Sequence, residues 1–146
     1  RRCMYQQVEV KVVAGSDSVI LPCQIKPDLP EDTTVEWTRA DQELVHVYSN
    51  RSDDLTKQDR LYRDRTKMNE DLLRTGDLSL TLKYPTERDS GGYICTIYRD
   101  KDILRQKVSS EVMLCLFNSF YKFTIAVDVL WSEAHSYLCS QLLITC

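Results

Sequence analysis

The sequence is poor in the features that mark most catalytic and nucleic-acid-binding proteins. Its 146 residues include only four glycines, four prolines and two histidines. No glycine-rich phosphate loop, H-E-x-x-H or G-x-S-x-G occurs, so nucleotide, zinc-protease and serine-hydrolase chemistries lack their residues. His46 sits within an apolar-polar alternation and His135 lies far downstream. With no convergent acid, base and nucleophile, the chain is expected not to be an enzyme and to need no cofactor. A formal charge of −3 comes from 19 Lys plus Arg against 22 Asp plus Glu, with the signs interspersed. That balance provides no basic track for nucleic acid and no patch for an anionic membrane. None of the six cysteines, Cys3, Cys23, Cys95, Cys115, Cys139 and Cys146, forms a C-x-x-C pair. His135, Cys139 and Cys146 lack a fourth ligand, so no metal site is expected.

Six cysteines without metal spacing fit an oxidising, extracellular setting. The triplet Asn50-Arg51-Ser52 is a candidate glycosylation signal and points the same way. The chain opens Arg1-Arg2-Cys3 without an apolar run, so any secretory signal is expected to have been removed or to lie outside this sequence.

What is present is alternation. Val8 to Val13 alternates before the turn Gly15-Ser16-Asp17, and Val19, Leu21, Cys23 and Ile25 then repeat at period two. Val35 and Trp37 share one face of a third strand, with Glu36 and Thr38 on the other, and Leu44 to Tyr48 reads as a fourth. Ser49 to Asp71 is polar and charged and is expected to contribute little to a core. Leu78, Leu80 and Leu82 alternate, as do Tyr93, Cys95 and Ile97, and a last alternating stretch runs from Leu104 to Val112. Short strands punctuated this often predict an all-β antiparallel sandwich.

Cys23 and Cys95 each lie on the apolar face of a strand, 72 positions apart, with Trp37 between them. In two facing sheets this sets one sulfur on each inner surface and the indole against the bridge. Asp89-Ser90-Gly91-Gly92-Tyr93-Ile94-Cys95 places a tyrosine two residues before the second cysteine, where its hydroxyl can bond back to the backbone.

With these residues in order, Val8 to Val112 resembles immunoglobulin V-set domains. It is most similar to the butyrophilin-like and myelin-oligodendrocyte-glycoprotein-like costimulatory ligands, especially those of fishes. The closer likeness lies in Gly15-Ser16-Asp17-Ser18-Val19-Ile20-Leu21-Pro22-Cys23, Val35-Glu36-Trp37, Val45-His46-Val47-Tyr48 and Gly76-Asp77-Leu78-Ser79-Leu80. The resemblance implies a V-type sandwich over residues 8–112, with core signature residues Trp37, Leu80 and Tyr93. It also implies an ion pair between Arg65 and Asp89. It further implies a domain on the external side of the plasma membrane that engages a receptor on lymphocytes, or another immunoglobulin-like domain, and adjusts T-cell activation and cytokine output.

Period-two geometry turns Ile94, Thr96 and Tyr98 outward, opposite to Tyr93, Cys95 and Ile97. Thr38 on the next strand, with His46 and Tyr48 beyond it, is expected to extend that face into a partner-binding surface, with Tyr48 and Tyr98 as aromatic anchors. Asp100 belongs to the charged turn Arg99 to Ile103, expected to bias partner choice electrostatically.

Residues 113–146 fall outside the resemblance and stay unassigned. The stretch from Val112 to Trp131 is dense in apolar residues, but Asn118, Lys122 and Asp128 make it a poor membrane span, because a central charge costs about 2.5 to 3.5 kcal/mol. Membrane association is therefore expected only if an anchor exists in the tail or beyond. A secreted or decoy binder is the main alternative. A rearranging antigen-receptor domain ranks lower, because Thr96 to Cys115 lacks the glycine bulge such domains carry.

Overall fold

The computed structural model describes residues 8–113. The expectations for Cys3, Cys115, His135, Cys139 and Cys146, and for a span between Val112 and Trp131, fall largely or wholly outside those residues. Nine strands form two layers: β1 (Val8–Val13), β2 (Ser18–Leu21), β3 (Thr34–Arg39), β4 (Leu44–Ser49), β5 (Ser52–Asp53), β6 (Thr66–Met68), β7 (Leu80–Lys83), β8 (Gly91–Arg99) and β9 (Asp102–Met113). One layer is a six-stranded sheet in the order β1-β9-β8-β3-β4-β5, and the other is three-stranded, β2-β7-β6. β1 lies parallel to β9, and every other described pair is antiparallel. This is the expected V-type sandwich.

The core lies where the alternation places it. Val19 and Leu21 of β2 and Leu80 and Leu82 of β7 face Val35 and Trp37 of β3 and Tyr93, Cys95 and Ile97 of β8, all buried. Pro22 has no backbone N–H to add to the ladder, and β2 stops at Leu21. Cys23 nevertheless keeps the phase, because its carbonyl accepts from the Leu78 amide (2.8 Å). Cys23 and Cys95 form the disulfide across the two sheets, with Cα atoms 6.6 Å apart. Trp37 is fully buried, and its indole Nε1–H donates to the Leu78 carbonyl at 3.0 Å, so its one polar atom is satisfied.

The segment from Ser49 to Asp71 corrects the expectation of little core. Tyr62 is 1% exposed and Met68 5% exposed; just beyond the segment, Leu72 in the short helix α1 (Leu72–Thr75) is also fully buried. Single large side chains spaced through a charged stretch carry no periodicity, so the pattern conceals them. Helix α1 ends at Gly76, whose φ of +72° and close approach to the Ile25 carbonyl exclude any side chain: a Cβ would lie 2.3 Å from that oxygen.

Candidate protein-binding face

The six-stranded sheet has an inner face on the core and an outer face. Cross-strand partners share a face, so the registers define the outer one. Thr34 pairs with Tyr98, Glu36 with Thr96 and Thr38 with Ile94 between β3 and β8. Tyr98 pairs with Ile103, Thr96 with Arg105 and Ile94 with Lys107 between β8 and β9. Glu36 pairs with Val47 and Thr38 with Leu44 between β3 and β4. In these rows the outer face carries Leu44, Val47, Ile94, Tyr98 and Ile103 among Glu36, Arg105 and Lys107. Ile103 is 52% exposed, and Ile94, Tyr98 and Thr38 are half-buried.

Two expected members of this surface point the other way. Val35 pairs with Tyr48 and Trp37 with His46, which puts His46 and Tyr48 on the core face. They are 1% and 9% exposed. The cause is a register shift between Trp37 and Thr38, where Val45 enters as an extra residue on β4. One inserted residue flips every later side chain to the opposite face, so Val45 and His46 are both buried and Val47 faces out in place of its neighbours. Thr96 does lie on the outer face but is only 4% exposed, a short side chain in register between Glu36 and Arg105. It offers a partner little surface.

Inward, His46 joins the two layers at their edge. Its Nε2 donates to the Asp53 carboxylate (2.8 Å), and in the neutral ring its Nδ1 accepts from the Thr66 hydroxyl (2.8 Å). Gln58 Nε2 donates to the same hydroxyl oxygen at 2.8 Å. Residues of β4, β5 and β6 are thereby tied into one polar cluster. Burial raises the Tyr48 phenol above its ordinary value, with the Asp53 charge adding to the shift.

The turn beyond Tyr98 is a tight hairpin with Asp100 and Lys101 exposed at its tip. Arg99 grips Asp102 as a fork, Nε to Oδ1 at 2.9 Å and Nη2 to Oδ2 at 2.6 Å. That hydrogen-bonded pair raises the Arg99 value and lowers that of Asp102. Of the four charges expected to steer a partner, two are spent on closing the hairpin; Asp100 and Lys101 remain at the rim.

At the opposite end, largely buried polar groups form a hydrogen-bonded network. Arg65 Nη2 donates to Asp89 Oδ2 at 2.5 Å, with the Asp89 side chain 3% exposed. The same oxygen accepts from the Thr86 amide at 2.8 Å. Tyr93 donates its hydroxyl proton to the Asp89 carbonyl at 2.7 Å, as its position before Cys95 predicts. Arg39, which the sequence does not distinguish from other surface cations, donates to the hydroxyls of Tyr62 and Tyr93 (3.2 Å each) and to the carbonyls of Arg88 and Ser90. Burial opposes the Arg39 charge, but the bond to Tyr93 and the two phenols around it outweigh that effect and raise its value. Burial drives the Tyr93 phenol well above its ordinary range, with Tyr62 adding to the shift, and Tyr62 itself is raised mainly by burial. Asn50 is exposed at the β4–β5 turn. No cluster of metal-ligating side chains and no helix long and apolar enough to cross a membrane exists among the described residues.

The immunoglobulin V-set family model matches residues 5–113. The human V-set domain-containing T-cell activation inhibitor 1 is 32% identical over 64% of this chain and 36% of its own length. Human myelin-oligodendrocyte glycoprotein is 34% identical over 62% of this chain and 37% of its own. The chain thus spans little more than a third of the length of these curated relatives. The crystal structure of the human B7-H4 IgV-like domain superposes with a TM-score of 0.66 at 29% identity, covering 72% of this chain and 92% of that one. Bovine butyrophilin has the same fold, with a TM-score of 0.63 at 20% identity over 74% of this chain and 54% of that one.

Proposed function

The chain belongs to the immunoglobulin V-set family, a family of binding domains without catalytic function, and from that membership we propose that it is the recognition domain of a cell-surface immune ligand. On this reading the domain stands on the external side of the plasma membrane and binds a protein receptor on lymphocytes through the outer face of its six-stranded sheet. Binding then adjusts T-cell activation and cytokine production. One observation carries the proposal: a relative named for inhibiting T-cell activation matches at 32% identity over 64% of the chain.

The chemistry of the outer face supports a protein partner. Tyr98 and Ile103 are cross-strand neighbours, with Ile94 four residues before Tyr98 on the same face of β8. The Tyr98–Ile103 pair supplies an aromatic and a branched aliphatic, Glu36 and Arg105 flank Thr96 in the next row, and Ile94 beside Lys107 follows in the row beyond, a mixture of apolar and charged groups suited to a protein contact. The β3 and β8 backbones are hydrogen-bonded on both sides, so the patch is presented without a large ordering cost.

The test is direct. The full chain, assembled into multimers, is applied to resting and activated lymphocytes, and receptor-dependent staining with a change in cytokine release is expected. Folded multimers that stain no lymphocyte class would overturn the proposal. Fractionating cells that express the complete gene separates an anchored ligand from the secreted alternative, because only the former requires detergent for extraction.

A further inference from the structure

We propose that Asn50 carries an N-linked oligosaccharide that stands over the open β5 edge of the six-stranded sheet. This deepens the extracellular reading above and rests on it. Asn50-Arg51-Ser52 is the only Asn-x-Ser/Thr triplet in the sequence. It occupies the tip of the β4–β5 hairpin: Ser49 pairs with Ser52, which leaves Asn50 and Arg51 as a two-residue turn. Their φ values of +53° and +64° are those of a type I′ turn, the form that lets two strands continue their natural twist.

Asparagine suits that conformation on backbone grounds alone, so its presence at the tip is not itself a glycosylation signal. The serine two residues on adds the second observation. Asn50, Arg51 and Ser52 are all exposed, and among the described residues no hydrogen bond engages the Asn50 amide or the Ser52 hydroxyl. Arg51 instead turns back to pair with Glu31. The acceptor nitrogen and the hydroxyl of the triplet therefore face solvent with no structural task of their own.

The transfer balances with a lipid-diphosphate-linked oligosaccharide as donor. Asn50 Nδ2 forms a bond to C1 of the first N-acetylglucosamine, the C1–oxygen bond to the diphosphate breaks, and the lipid diphosphate leaves with the bonding electrons. One amide proton passes to a base of the transferase.

The position has a consequence for recognition. β5 is a two-residue, exposed edge strand, the kind of open edge at which another chain can add. A glycan at its tip covers that edge. Tyr98 on β8 and Ile103 on β9 lie three and four strands away from β5, about 14 and 19 Å at the usual strand spacing. The glycan therefore borders the proposed contact face on one side and directs a partner toward the β8–β9 side.

The experiment sends the full chain into the secretory pathway of a eukaryotic cell behind a supplied leader and analyses medium and lysate together. The expected product is heavier than its polypeptide mass by one glycan and collapses on treatment with peptide N-glycosidase. Ser52→Ala, which leaves the turn residues untouched, and Asn50→Asp, which still tolerates the left-handed turn, both lose the added mass, while Ser52→Thr keeps it. A chain whose Cys23–Cys95 bond has formed but whose mass is that of the bare polypeptide overturns the proposal. So does an added mass that survives both Ser52→Ala and Asn50→Asp. Either result leaves the extracellular reading standing, because disulfide formation reports entry into the oxidising compartment independently.

Discussion

Arg65 and Asp89 lie far apart in sequence within charged surroundings, yet the fold brings them to 2.5 Å and buries the carboxylate almost completely. Removing the guanidinium strands a desolvated charge, so Arg65→Ala should lower stability by about 3 kcal/mol, as broken buried pairs do. Arg63→Ala, a nearby exposed change, should shift the melting temperature far less, since exposed charges contribute about 0 to 1 kcal/mol. Equal shifts for the two variants would show the pair to be no more than surface charge. The tyrosines give a pH dependence of definite sign. Tyr62 and Tyr93 resist ionisation in the folded state, whereas unfolded tyrosine ionises near about pH 10. The unfolded chain then loses protons first, so their contribution is fully present below about pH 10 and falls as the pH rises above it. Denaturant unfolding between neutral and strongly alkaline pH should show this decline, with a shallower slope in Tyr93→Phe.

The most informative element is β4, where a single extra residue decides which side chains reach the outer face. Val45 and His46 are adjacent and both buried, an arrangement that regular alternation forbids and a bulge permits. His46→Ala should therefore behave as a core change. It leaves the Thr66 hydroxyl and Asp53 without their ring partner, at a cost of about 2 kcal/mol in denaturant unfolding, with receptor affinity unchanged once folded. Tyr98→Ala should do the reverse, weakening receptor or self-association at least tenfold by titration while the melting temperature hardly moves. A destabilised Tyr98→Ala with intact binding would move the contact surface away from β8 and β9.

Across the whole molecule, the disulfide ties together sheets that share no backbone hydrogen bonds within the described strands. Closing a loop of 72 positions is worth about 4 kcal/mol on the chain-entropy model, a large part of a small domain's stability of about 5 to 15 kcal/mol. Reduction of the folded chain should lower the denaturant midpoint correspondingly, and Cys23→Ala with Cys95→Ala should reproduce the effect. Since Trp37 donates to Leu78 independently of the sulfurs, its fluorescence should report the same cooperative transition in both forms.

The sequence by itself determined the sandwich, its bridge and its tyrosine corner. These rest on period-two burial and on residues such as Cys23, Trp37, Tyr93 and Cys95, whose chemistry demands one kind of neighbour. Only the tertiary structure decided which face His46, Val47 and Tyr48 present, that Tyr62 and Leu72 belong to the core, and that Arg39 organises one end of the domain. A bulge is an event in the pairing of two strands, and a buried polar network is a meeting of distant segments. Neither leaves a trace in the local alternation from which faces are read.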